Sequence, residues 1–311
     1  MLSFTLRRLF YSILVVFGVV TVVFFIMNLL PDPARMMQGQ RADIATQAAI
    51  RHQLGLDKPP IERYVMFLGN VAQGDLGRSW SSNRPVLTSI WERFGATATL
   101  AISAMVIATV LGIAIGIVSA VRSYSLFDNA SMLFALIGIS VPAFVMGLLA
   151  MLVFGSWLDW LPVSGYMWEG GELHIEYLIL PMFVLALRPV SVIARVTRSS
   201  MIEVLTSDYV RTAKAKGVSW RSIVYRHALR NALNPVVTTV SAWLAGLLVG
   251  TYFIEYIFNW PGIGLQAVDA ITRSDFPIIQ GTVIFSAVIF VVVNFLVDIL
   301  YARLDPRVKL S

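Results

Sequence analysis

The chain has 311 residues, of which 57% are hydrophobic and only 14% charged, and it carries a formal net charge of +6. That balance excludes an ordinary soluble domain and marks an integral membrane protein; the surplus Lys and Arg fall in gaps between apolar runs, so no nucleic-acid partner is expected. With no cysteine, neither a disulfide framework nor a thiolate metal site can form.

A bilayer core of about 30 Å needs roughly 20 apolar residues of helix. The sequence offers six such runs, predicting an all-α protein with six transmembrane helices. The first, residues 9–30, follows Arg7 and Arg8. It exceeds a signal-peptide core and has no small-residue cleavage pattern behind it, which makes it a retained anchor. Residues 31–93 are long and mixed in sign, with a turn signal "QLGLDKPP" at 53–60, a predicted helix over 61–71 and then "QGDLGRSW". This segment is expected to be an ordered cap outside the membrane, which either covers loops or receives a soluble partner.

Residues 97–121 and 130–157 follow as spans, then an acidic loop with Asp159, Glu169, Glu172 and Glu176 but no Lys or Arg. The fourth span, 177–194, is interrupted by Arg188 and Pro189; the last two are 235–254 and 281–299. Between spans four and five lie Arg195, Arg198, Arg211, Lys214, Lys216, Arg221, Arg226 and Arg230. Positive charge marks the cytoplasmic side, so this loop and both termini, with Arg7, Arg8, Arg303, Arg307 and Lys309, are placed there. The expected division is an anchor plus outer segment, 1–94, and a five-helix core, 95–311, with the basic loop at about 199–234.

The sequence contains no glycine-rich loop ending in Gly-Lys-Ser/Thr, so the chain has no evident nucleotide site and energy from ATP must enter through another subunit. His52, His174 and His227 are scattered; no hydrolytic or metal centre is expected, and an enzyme is not the reading. Arg188, Glu255 and Asp298 are the ionisable residues that a self-contained channel or carrier would use. Glu255 and Asp298 fall near span ends. Arg188 lies roughly 17 Å into its span and either meets an anionic group in a polar pathway or snorkels to the interface.

The basic loop has apolar residues at helical spacing, Val204, Leu205, Tyr209, Val210 and Ala213, then Trp220, Ile223, Val224 and Ala228. Two short helices are predicted, with a turn at Gly217, Asp208 as the first N-cap and Ser219 as the second. An interfacial helix on anionic lipid would satisfy the charges. The small residues Thr212, Ala213 and Ala215 instead suit close docking in a protein groove.

The stretch "DYVRTAKAKGVSWRSIVYRHALRNALNPVV" resembles the cytoplasmic coupling loop of binding-protein-dependent ATP-binding-cassette (ABC) permeases. Its Arg211, Thr212, Ala213 and Gly217 match the Arg-Thr-Ala-x-x-x-Gly form usual in the oligopeptide and dipeptide branch. "LRRLFYSILVVFGVVTVVFFIMNLLPDPA", "QLGLDKPP", "QGDLGRSW" and "FNWPGIGLQAVDAITRSDFPIIQG" resemble the same branch, although relatives often carry a glycine before the Asp of "LLPDPA". The resemblance implies a type I importer fold and a multi-pass subunit of the bacterial inner membrane. It also implies a second homologous permease, two ATPase subunits holding ATP and Mg, an extracytoplasmic binding protein, and no cofactor on this chain. It assigns ATPase coupling to the segment Asp208, Tyr209, Arg211, Thr212, Ala213, Lys214, Ala215, Lys216 and Gly217. Within it, Arg211, Lys214 and Lys216 contact either acidic rims or lipid phosphate. The cargo is a peptide by resemblance, although the branch also covers nickel chelates, glutathione and some sugars.

Overall fold

In the computed structural model, residues 2–29 and 57–304 are described. The turn signal before Asp57, His52, Arg307 and Lys309 lie outside them. The helices are α1 (Leu2–Leu29), α2 (Pro60–Ala72), α3 (Val86–Val121), α4 (Leu126–Ser140) and α5 (Ala143–Trp157), then α6 (Glu176–Leu205) and α7 (Asp208–Ala215). They continue with α8 (Trp220–Gly250), α9 (Tyr252–Ile257), α10 (Ile263–Thr272) and α11 (Phe276–Leu304); strands β1 (Trp168–Glu169) and β2 (Glu172–Leu173) form a small antiparallel hairpin.

Among the described residues, five helices are long and apolar enough to cross a membrane, and α4 with α5 makes a sixth crossing when the bent pair is counted as one. That pair was expected to be one run over 130–157, but it bends by 106°. Val141, held before Pro142, takes φ −83° and ψ 130°, so its backbone leaves the helix. The other helices outrun their apolar cores: α6 continues through Pro181 and Pro189, and α8 through Pro235, where a span was expected to begin.

The chain forms two compact units, residues 1–95 with 262–311, and residues 96–261. The last helix therefore belongs with the N-terminal anchor, whereas the sequence division placed it in the core. In the first unit α1 lies along α11, burying Val20, Val23 and Ile284 against Phe67, Leu68 and Val71. Arg8 pairs with Asp298 at 2.9 Å. Helix α2 packs Tyr64 and Phe67 on Phe24, and Tyr64 Oη lies 2.7 Å from Thr21 Oγ1. A second core joins Val86 and Ile90 to Ile263, Ile278 and Phe285. Above it, Ser79 Oγ and Ser81 Oγ donate to Asp275 Oδ2 at 2.5 and 2.7 Å, and the amides of Trp80 and Ser81 donate at 3.1 and 3.2 Å. Burial alone would push the Asp275 carboxyl up, but these donors favour the charged form more strongly and hold it below its ordinary range.

In the second unit α6 is central, packing on α4 and α8. A Cβ added to Gly116 of α3 would stand 2.5 Å from Thr197 Cβ and 2.7 Å from Ala194 O; one on Gly112 would stand 2.7 Å from Ile193 Cγ2. Glycines four apart let the backbones of α3 and α6 touch. Arg198 grips the buried Asp128 with both arms of its guanidinium, Nε to Oδ1 at 2.6 Å and Nη2 to Oδ2 at 2.7 Å. The Tyr124 amide adds a third bond at 2.8 Å.

Candidate functional site

The basic loop folds into a short helix and a glycine turn, as expected, but in place of the second short helix the chain enters the long helix α8. Ser207, with φ −69° and ψ 156°, rather than Asp208, takes the N-cap position of α7, and its hydroxyl donates back to Val204 O at 2.6 Å. Asp208 instead begins the helix, where its charge suits the positive end of the dipole. At the other end Gly217 has φ +78°. The Val218 amide donates to Ala213 O at 3.2 Å and the Gly217 amide to Lys214 O at 3.0 Å, the paired bonds of a Schellman turn. A side chain at position 217 would strain this left-handed backbone, which is why the turn uses glycine. Ser219 stands at the start of α8 as expected, but makes no side-chain cap bond.

Helix α7 has an inner and an outer face. Val210 is fully buried and Ala213, three residues on, is half-buried beside it. Tyr209 Oη accepts from Asn231 Nδ2 at 2.8 Å, which ties α7 to α8. Lys214 Nζ sits 4.7 Å from the centre of the Trp220 ring. Arg211, Thr212, Ala215 and Lys216 are exposed, as are Asp208 and Gly217. The loop underneath is firm because Met201, Val224, Ala228 and Ala232 form a core with Ile117 and Ala120. Between Ile223 and Ala228 the start of α8 is wound as a π-helix, so this core and the Tyr209 tether border a locally widened turn.

The three candidate pathway residues have different surroundings. Glu255 is fully buried and accepts from Thr97 Oγ1 at 2.7 Å and Thr251 Oγ1 at 2.6 Å, a structural anchor for α9. Asp298 is engaged by Arg8. Arg188 is exposed midway along α6, between buried neighbours, and shares one helical face with exposed Arg195, Ser199 and Glu203. Sequence reasoning missed two features: the Asp128–Arg198 pair, since Arg198 was counted among the loop cations, and the Tyr209–Asn231 tether. The polar line on α6 had a signal in the spacing of Arg188, Arg195 and Ser199, which recur every three to four residues or a multiple of it.

Compared with known families, residues 112–310 match the model of the binding-protein-dependent transport system inner membrane component, and residues 1–101 match the N-terminal membrane component of the same systems. The chain belongs to this family. The permease is a multi-pass inner-membrane protein of the ABC importer class, with the all-α transmembrane fold of that family. It is 40% identical to a dipeptide transport system permease protein of Alkalihalophilus pseudofirmus, over 99% of this chain and 100% of the relative. It is 41% identical to a di/tripeptide transport system permease protein of Pseudomonas aeruginosa, over 99% of both chains. A glutathione transport system permease protein of Pectobacterium atrosepticum is 42% identical, again over 99% of both.

Proposed function

We propose that the permease forms one half of the translocation pathway of an ATP-driven importer of short peptides. The observation that carries this reading is α7: a basic helix with an exposed outer face, held to the spans by Val210 and Tyr209 and closed by Gly217, in a chain matched end to end by peptide and glutathione permeases. The outer face of Arg211, Thr212, Ala215 and Lys216 fits a groove on an ATPase subunit. Ala213 serves the inner face, so the small residue that allows close approach by the ATPase is Ala215. Two ATPases bind ATP and Mg; when they close, α7 moves, and the tether passes that movement to α6 and α8.

A second, homologous permease supplies the other half of the pathway, and an extracytoplasmic binding protein delivers the cargo. Both termini and α7 lie in the cytoplasm, and α2, the Asp275 cluster and the β-hairpin lie outside, in keeping with the distribution of Lys and Arg. The polar line of Arg188, Arg195, Ser199 and Glu203 faces the pathway, where Arg188 meets the peptide carboxylate. Glu255 is buried and Asp298 is paired with Arg8, which leaves a self-contained carrier little ionisable chemistry to work with.

Extraction of a carboxyl-terminally tagged chain in mild detergent, followed by mass spectrometry and reconstitution, tests this. Co-purification of a second permease and one or two ATPases, with dipeptide uptake that requires ATP and binding protein, is expected. A chain that purifies alone and transports without ATP would overturn the reading.

A further inference from the structure

In the first unit, the segment before α3 and the end of α10 enclose a polar recess of about 280 Å³. Its charged groups divide into two sets. Asp275 is saturated by its four donors from Ser79, Trp80 and Ser81. Arg84 is held by both oxygens of Glu92, at 2.8 and 3.0 Å. The remaining three, Arg93, Asp269 and Arg273, also line the recess. Among the described residues, no ion pair or hydrogen bond engages their side chains.

Asp269 and Arg273 stand four apart at the end of α10, the spacing at which opposite charges on a helix commonly pair, yet they do not. Two guanidinium groups and a carboxylate, Arg93, Arg273 and Asp269, line one recess and form a bipolar surface. Its complement is a small molecule with a carboxylate at one end and an ammonium at the other.

The geometry points to a binding site for a free, zwitterionic short peptide in this recess, its carboxylate on Arg93 and Arg273 and its ammonium on Asp269. The inference rests on the peptide-importer reading and adds to it a holding site on the permease itself. The volume admits a dipeptide of small residues. Recognition of both termini makes the site indifferent to side chains and selective for unblocked ends.

The test is calorimetric titration of the detergent-solubilised transporter complex, without binding protein, using L-alanyl-L-alanine, its N-acetyl derivative and its amide. The parent complex is expected to bind the free dipeptide saturably. Each blocked form should bind roughly tenfold or more weakly, as for loss of one charge-assisted hydrogen-bond set. Arg273→Gln should remove the discrimination against the amide while keeping that against the N-acetyl form, and Asp269→Asn should do the reverse. Absence of saturable binding to the parent, equal binding of the blocked forms, or unchanged discrimination in both variants would overturn the site. The ligand series on the parent decides the matter even where a variant fails to assemble. Uptake of the same dipeptide into vesicles by the complete system is measured in parallel: uptake without recess binding removes this site alone, while absence of any peptide uptake removes the peptide reading with it.

Discussion

Replacing Arg198 with alanine should be far more damaging than neutralising its partner. Asp128 is 1% exposed and Arg198 23%, so the two members of the pair stand differently towards water. In Arg198→Ala the Asp128 carboxylate stays buried and keeps one strong donor to its side chain, the Tyr124 amide at 2.8 Å. Removing one partner of a buried ion pair typically costs about 3–5 kcal/mol, a large share of the roughly 5–15 kcal/mol that holds a domain together. Asp128→Asn keeps the shape and an acceptor for Tyr124, and the freed guanidinium can extend its stem towards the surface, for a cost of about 1–3 kcal/mol. The paired change Asp128→Leu with Arg198→Met removes both charges and should recover part of the loss. Thermal unfolding of the purified complex, followed by tryptophan fluorescence and size-exclusion recovery, gives the ranking: parent, then Asp128→Asn, with Arg198→Ala lowest and the double variant above it. If Arg198→Ala melts with the parent, or Asp128→Asn proves the worse of the two, the pair does not hold α4 to α6 as described.

Gly116→Ala should destabilise by about 1–3 kcal/mol through overpacking against Thr197 and Ala194, whereas Gly246→Ala, with no neighbour within 4 Å, should melt at or slightly above the parent because Ala favours the helix; comparing the two melting temperatures separates packing from helix propensity. Gly217→Ala strains a left-handed position by about 1 kcal/mol, and Gly217→Pro also removes the bond to Lys214 O; both should insert normally but lower the ATPase rate stimulated by loaded binding protein, with Pro the more severe, and full stimulation in the Pro variant would refute the role of the turn. Because Asp275 has a depressed pKa in the folded protein, its contribution is fully present above its unfolded value and is lost as pH falls through the folded one. Hydrogen exchange at the Trp80 and Ser81 amides should therefore stay slow from pH 7 down to about 4 and quicken only below it, while Asp275→Asn should exchange faster at neutral pH and lose the acid-dependent step.

Much of this molecule was readable in its residues, and what was not has definite causes. Apolar runs located every crossing because a bilayer demands length and hydrophobicity together. They could not place helix ends, since the polar turns at Val86–Glu92 and Arg195–Leu205 are good helix with no need of lipid. An apolar run also looks the same straight or bent, so the break between α4 and α5 was hidden, although the pair Val141-Pro142 carried the signal. Gly217 was legible because a glycine between two periodic runs has few other uses. Ala213 is half-buried beside Val210, as its place three residues on in the same apolar run implies. The long-range polar pairs had no local signature: Thr97 meets Glu255 across 158 positions, and Asp128 meets Arg198 across 70.

The central claim is that the outer face of α7 docks on an ATPase in the cytoplasm. The chain has no cysteine, so Ala215→Cys introduces a unique thiol on that face. A short bifunctional crosslinker applied to inside-out membranes of cells expressing the complete system should join this thiol to an ATPase subunit, with a yield that changes on adding ATP, and a membrane-impermeant maleimide should leave it unlabelled in right-side-out vesicles. Labelling from the outside, or a thiol that crosslinks to no ATPase while peptide uptake is intact, would contradict the coupling role of α7.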